Sequence, residues 1–198
     1  MATFELQREV AGRLRGMGRY LIANQCKVSM VPATLPLLDV FGYEWNIQTV
    51  AAYARAMARH KPVCTLPCAP AHYQDPFVRD HLLYGFWPGG YYSTDNPDYI
   101  ALMRKYIPIV RRQSVAGWEP ITLAWTGDDK VQIERFGGED GRELLLSLKN
   151  TGEAATQVTV RVDGSLLQPA VTYSVRELVS GAELGTMTRE APTVTVDA

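Results

Sequence analysis

The sequence predicts two unlike parts, an α/β part over residues 1–118 followed by an all-β part over 119–198. Three observations carry this expectation. Short apolar runs alternate with amphipathic helical stretches in the first part, the hydrophobic period changes from helical to two at about Pro120, and clusters of turn-forming residues then punctuate the chain.

Leu6, Val10, Leu14 and Met17 recur at helical spacing, so an amphipathic helix is expected from Thr3 until Gly16 and Gly18 stop it. Arg19 to Asn24 is an apolar run whose length suits a strand buried on both faces. Lys27 to Pro36 reads as a loop, and Leu37 to Phe41 as a second strand ending at Gly42. Asn46 can cap a helix in which Ile47, Val50, Ala51, Ala54 and Met57 share a face, and Lys61-Pro62 ends it. Val63 to Leu66 is the third strand. Alternation of strands with helices of this length predicts βαβ units and a parallel sheet. A helical stretch from Phe77 to Phe86 breaks at Pro88-Gly89-Gly90, and Asn96-Pro97 opens another helix with Ile100, Met103, Ile107 and Val110 on one side and a kink expected at Pro108.

Beyond Pro120, Val131 and Ile133, Leu144 to Leu148, Val158 to Val162, Val171 to Val175, and Val194 and Val196 alternate with mostly polar neighbours. Gly127-Asp128-Asp129, Gly137-Gly138, Asn150-Thr151-Gly152 and Asp163-Gly164 supply the turns, and an antiparallel sandwich is the expected product.

Composition narrows the partners. A formal net charge of -1 leaves no basic surplus for a phosphate backbone, so nucleic acid is not expected. No apolar run approaches the roughly 20 residues of a membrane helix, and the first residues lack the basic and apolar regions of a signal peptide, which together predict a cytoplasmic protein without a membrane partner. Cys26, Cys64 and Cys68 are an odd number, which argues against a disulfide framework. Cys64, Cys68 and His72 could be set out as metal ligands, but Pro67 and Pro70 break any helix that would align them and a fourth ligand is missing. Buried thiols are the preferred reading, with no metal and no cofactor expected.

The runs Tyr20-Leu21-Ile22-Ala23-Asn24, Leu38-Asp39-Val40-Phe41-Gly42-Tyr43-Glu44, Tyr84-Gly85-Phe86-Trp87-Pro88-Gly89 and Ala116-Gly117-Trp118-Glu119-Pro120 resemble the last strands and closing helix of bacterial glycoside-hydrolase-like (β/α)8 barrels. In such proteins a β-sandwich commonly follows the barrel. The resemblance implies a fold that is α/β followed by all-β: a partial TIM-type (β/α) barrel, its last three βα units, plus a C-terminal antiparallel β-sandwich. A complete barrel takes about 250 residues, so the resemblance also implies either a missing N-terminal barrel segment or self-association.

It further implies a carbohydrate substrate and chemistry at the carboxyl ends of the strands, where Asn24, Asp39, Glu44, His72, Tyr73 and Asp75 would gather. Cleavage of an O-glycosidic bond normally takes two carboxyl groups, one to protonate the leaving oxygen and one to attack the anomeric carbon or activate water. Glu44, just beyond the second run, is the first catalytic candidate and Asp39 the second, although an acid within a strand can instead orient a neighbour. Asn24, Trp45, His72 and Tyr73 are the expected substrate-binding residues, because sugar rings stack on aromatic faces while their hydroxyls bond polar neighbours. Asp75 reads more simply as a helix-start residue, and Trp118, Glu119 and Trp125 as parts of the junction between the two domains. The chain taken alone is expected to be inactive. The competing reading is a non-catalytic carbohydrate-binding or structural accessory module, and a third is a remnant with no independent function.

Overall fold

The computed structural model describes residues 2–24, 34–43, 47–58, 61–65, 74–89, 96–138 and 143–198. The chain divides into two compact units, Met1–Arg104 and Lys105–Ala198.

In the first unit, α1 spans Ala2–Gly16, β1 Ile22–Asn24, β2 Val40–Tyr43, α2 Ile47–Ala58, β3 Val63–Thr65, α3 Asp75–Tyr84 and β4 Trp87–Pro88. The last helix, α4, spans Pro97–Ala116 and so crosses the division between the units, 14 residues before the boundary expected at 118/119. Strands β1 to β4 form one parallel sheet in sequence order, with Ile22 opposite Val40, Phe41 opposite Val63, and Cys64 opposite Trp87. Helices α2 and α3 carry the chain back to the same end between β2 and β3 and between β3 and β4, which suits parallel pairing there.

The expected partial barrel is corrected by this topology. The four strands make an open sheet, and neither edge strand has a second partner among the described residues. Alternating strands and helices dictate parallel pairing but leave closure unspecified. Tyr20 and Ile22, at the β1 edge, are 84% and 50% exposed.

Two boundaries also moved. Leu35–Leu37 forms a 3-10 turn with Pro36 near its start, so β2 begins at Val40 rather than Leu37. Proline fixes one backbone angle and donates no N–H, which suits a turn better than a sheet interior. Trp87–Pro88 is a fourth strand that the break at Pro88-Gly89 concealed. The reversal before it is made by Gly85, whose φ of 62° is left-handed and whose N–H caps the end of α3 at His81 and Leu82.

The core beneath the sheet consists of Leu35, Leu38, Phe41, Ala51, Ala54, Ala58, Val63 and Phe86. Ala51, Ala54 and Ala58 recur at three- and four-residue spacing, so the small face of α2 lies against Phe41 and Phe86. Burying each ring contributes about 2–3 kcal/mol. Arg55, on the same helix, is also buried; it donates to the Lys61 carbonyl at 2.8 Å and lies 5.8 Å from the Phe86 ring centre.

In the second unit, β5 is Trp118–Glu119, β6 Ala124–Trp125, β7 Val131–Gly137, β8 Leu144–Asn150, β9 Gln157–Val162, β10 Tyr173–Arg176, β11 Glu183–Met187 and β12 Thr193–Asp197. The period-two runs do form antiparallel strands, but the two-sheet sandwich is corrected. Among the described residues three small sheets are present, in the orders β5-β7-β8, β12-β9-β6 and β10-β11. Their apolar faces meet at Ala124, Val160, Val162, Leu166 and Met187, with Ile133, Leu144, Leu146, Leu148 and Val194 packed around them. Alternation fixes which face of each strand is dry, while partner choice depends on turns and on two-residue strands such as β5 and β6 that carry no periodicity of their own.

Candidate functional site

A parallel sheet has two chemically different edges. In open α/β sheets ligands bind outside the carboxyl ends of the strands, and that edge is formed here by Asn24, Tyr43, Thr65 and Pro88. The register sets Asn24 opposite Gly42, Tyr43 opposite Thr65, and Thr65 opposite Pro88.

Glu44 follows Tyr43 directly in sequence. Glu44, Trp45, His72 and Tyr73 lie outside the described residues. Asn24 closes β1, as expected for a group at the carboxyl edge.

Asp39 lies at the other edge. It precedes β2 by one residue, and three residues separate it from Gly42, the partner of Asn24, a distance of roughly 10 Å along an extended chain. The structure therefore does not bring Asp39 and Asn24 together. The three-residue shift of β2 is the cause: a strand beginning at Leu37 would have carried Asp39 inside it, whereas the 3-10 turn leaves it at the amino end.

The Asp39 carboxylate is fully engaged there. Oδ2 accepts from the Leu21 N–H at 2.8 Å, and Oδ1 accepts from Arg15 Nε at 3.3 Å and Nη2 at 3.2 Å. The Leu21 N–H bond holds the Asp39 carboxyl below its ordinary range; burial pushes the other way, and Arg15 and then Lys61 lower it further. Lys61 Nζ donates to the carbonyls of Leu35 and Leu38, both at 2.6 Å, and burial beside the Arg15 charge lowers the Lys61 pKa while Asp39 partly offsets this. Arg15 also donates to the Leu37 carbonyl at 3.1 Å. These contacts tie the end of α1, the 3-10 turn and the starts of β1 and β3 into one charged clasp, around an open cleft that Tyr20, Val40 and Pro62 complete.

At the carboxyl edge, sequence reasoning missed a buried pair. His81, on α3, is fully buried, its Nδ1 lies 2.7 Å from the Phe77 carbonyl, and its Nε2 lies 2.5 Å from Thr65 Oγ1. A carbonyl only accepts, so Nδ1 carries a proton and donates, while Thr65 Oγ1 also lies 3.4 Å from the Trp87 carbonyl. The available signal was the four-residue spacing of Phe77 and His81 within a helix, whose rings meet edge to face at 4.6 Å. Nothing in the sequence indicated Thr65 as the partner.

Cys64 is a free thiol beside this pair, and burial pushes its pKa up, away from the thiolate that a nucleophile or metal ligand would need. Its proposed companions, Cys68 and His72, lie outside the described residues. Asp75 begins α3 and pairs with Arg79 one turn later at 2.7 Å, in keeping with a helix-start role. In the second unit Trp118 Nε1 donates to Glu134 at 2.7 Å, and Glu119 stands 3.8 Å from the buried Arg135. Among the described residues, no helix is long and apolar enough to cross a membrane. No protein-family model and no curated protein matches the sequence.

Proposed function

We propose that the protein is part of a glycoside hydrolase that acts on the O-glycosidic bond of a carbohydrate at the carboxyl edge of the parallel sheet, with Glu44 as the working carboxylate. The supporting observation is the register of β1, β2 and β3, which ends Asn24, Tyr43 and Thr65 at one edge, one residue before Glu44 in sequence. In this reading Glu44 protonates the leaving oxygen, activates water or attacks the anomeric carbon, and a second carboxyl group completes the pair. That second group is not Asp39, whose oxygens are committed to Leu21 and Arg15 at the opposite edge. Asn24, Trp45, His72 and Tyr73 are retained as substrate-binding residues. The free Cys64 thiol supports placing the protein in the reducing cytoplasm.

Replacement Glu44→Gln removes the ionisable group with almost no change in size. Hydrolysis of oligosaccharides by the complete hydrolase of which this chain is part should fall by about 100-fold or more, while the urea unfolding midpoint stays unchanged. Unaltered turnover would reject the role of Glu44.

A further inference from the structure

The outward face of the β12-β9-β6 sheet presents a second, separate constellation. Trp125 pairs with Arg161, and Arg161 pairs with Thr193. Directly opposed residues stand on the same face of an antiparallel sheet, so an indole, a guanidinium and a hydroxyl lie side by side across three strands. Their neighbours in sequence, Ala124 and Val162, are buried on the other face. Thr159 and Thr195 form the next outward pair.

One end of this platform is walled into a groove by Asp163, Gly164, Arg189, Glu190 and Pro192. The wall is held in place by the backbone. The Thr188 N–H donates to the Ala191 carbonyl and the Ala191 N–H to Thr188 Oγ1, which closes a tight turn with Arg189 and Glu190 at its tip. Gly164 admits that turn, since a Cβ there would meet the Arg189 carbonyl oxygen at 3.2 Å and its Cγ at 3.3 Å. Pro192 is tied to β9 by the Val162 N–H at 2.8 Å.

Trp125 is 51% exposed although it belongs to a strand. Among the described residues, the side chains of Trp125, Arg161, Arg189 and Glu190 make no hydrogen bond or ion pair. Asp163 is kept ionised by the hydroxyl and N–H of Ser165, with Arg161 and Arg189 adding to the effect. The groove thus offers one exposed aromatic face, two guanidinium donors and two carboxylate acceptors of balancing charge.

We propose that this groove binds a neutral oligosaccharide. A pyranose ring has an apolar face that stacks on an indole and a rim of hydroxyls, each able to accept from a guanidinium and donate to a carboxylate. The balance of two positive and two negative groups disfavours a polyanion. The sugar class rests on the carbohydrate reading given above, but the groove shares no residue with the Glu44 edge, so the two fail separately.

The test is isothermal titration of the full chain with cellotetraose, xylotetraose, maltotetraose, mannotetraose and tetragalacturonate. At least one neutral tetrasaccharide should bind, tetragalacturonate should bind no better, and Trp125→Ala should weaken binding by roughly tenfold or more. Arg189→Ala, an exposed change at a turn tip, should weaken it severalfold with an unchanged circular dichroism spectrum. The loss of binding caused by Trp125→Ala should be the same in a Glu44→Gln background, because the groove shares no residue with the Glu44 edge. Absence of binding to every neutral tetrasaccharide, preference for the uronate, or equal binding by wild type and both groove variants would overturn the proposal.

Discussion

The two edges of the parallel sheet are held by opposite means. At the amino edge, Asp39, Arg15 and Lys61 clasp the strand starts with charges that reach the surface. At the carboxyl edge, Thr65 and His81 are hydrogen-bonded to each other inside a dry core. The difference teaches that the direction of the chain through a strand, rather than the proximity of an acid to an apolar run, decides whether that acid serves folding or chemistry. Asp39 and Glu44 are five residues apart and flank the same strand, yet only Glu44 follows its carboxyl end.

The largest expected effect breaks the comparison outright. Glu44→Gln should cost about two or more orders of magnitude in hydrolysis and nothing in stability, whereas Asp39→Ala should do the reverse. If Asp39→Ala destroyed activity at full stability, the division of labour between the edges would be inverted.

Next comes His81→Ala. Removing a fully buried ring leaves a cavity and strips the Thr65 hydroxyl and the Phe77 carbonyl of a partner, so a loss of about 3 kcal/mol is expected in urea denaturation. The loss should be nearly the same at low and high salt, because the contacts removed lie in the dry interior, away from solvent ions. A strong salt dependence would place a charge at this edge and erase the contrast.

Much of this was legible in the sequence. Apolar runs between amphipathic helices gave the parallel pairing, and the period-two runs gave most of the antiparallel strands. What escaped had physical causes. Pro36 converted the start of an apolar run into a 3-10 turn and moved β2 by three residues, which changed the edge on which Asp39 stands. Trp87–Pro88 is too short to show alternation, and its proline looked like a break. Trp125 lies half exposed on a strand of two residues, too short to show alternation, and its place in a sheet depends on partners far away in sequence, with Trp125 opposite Arg161 and Ala124 opposite Val162. Whether parallel strands close into a barrel is likewise a property of edges, which no local pattern encodes.

Asp39→Ala is the third effect in size. It leaves the Leu21 N–H without its acceptor and Arg15 without its anion, at an expected cost of about 1–3 kcal/mol. The folded carboxyl titrates below its unfolded value of about 3.9, so its contribution is fully present above that value and is lost as pH falls through the folded pKa. Wild type and variant should therefore differ in urea midpoint at pH 7, and the difference should shrink as pH falls below about 3.9. A difference that persisted undiminished in acid would mean that Asp39 acts through packing.

The smallest effect separates the two partners of that carboxylate. The Arg15 side chain is about half exposed, so its pair with Asp39 is screened by solvent and contributes about 0–1 kcal/mol. The Leu21 N–H is fixed by the backbone and is the stronger cause of the depressed Asp39 titration. Arg15→Ala should accordingly lower stability by under about 1 kcal/mol, an effect that shrinks further in 1 M salt. It should leave most of the acid-dependent stability in place, since Asp39 still accepts from Leu21. If Arg15→Ala matched Asp39→Ala in size and removed the acid dependence, the guanidinium would be the principal partner, and the amino edge would be held by an ion pair between a helix end and a strand start instead of by a carboxylate bonded to the backbone.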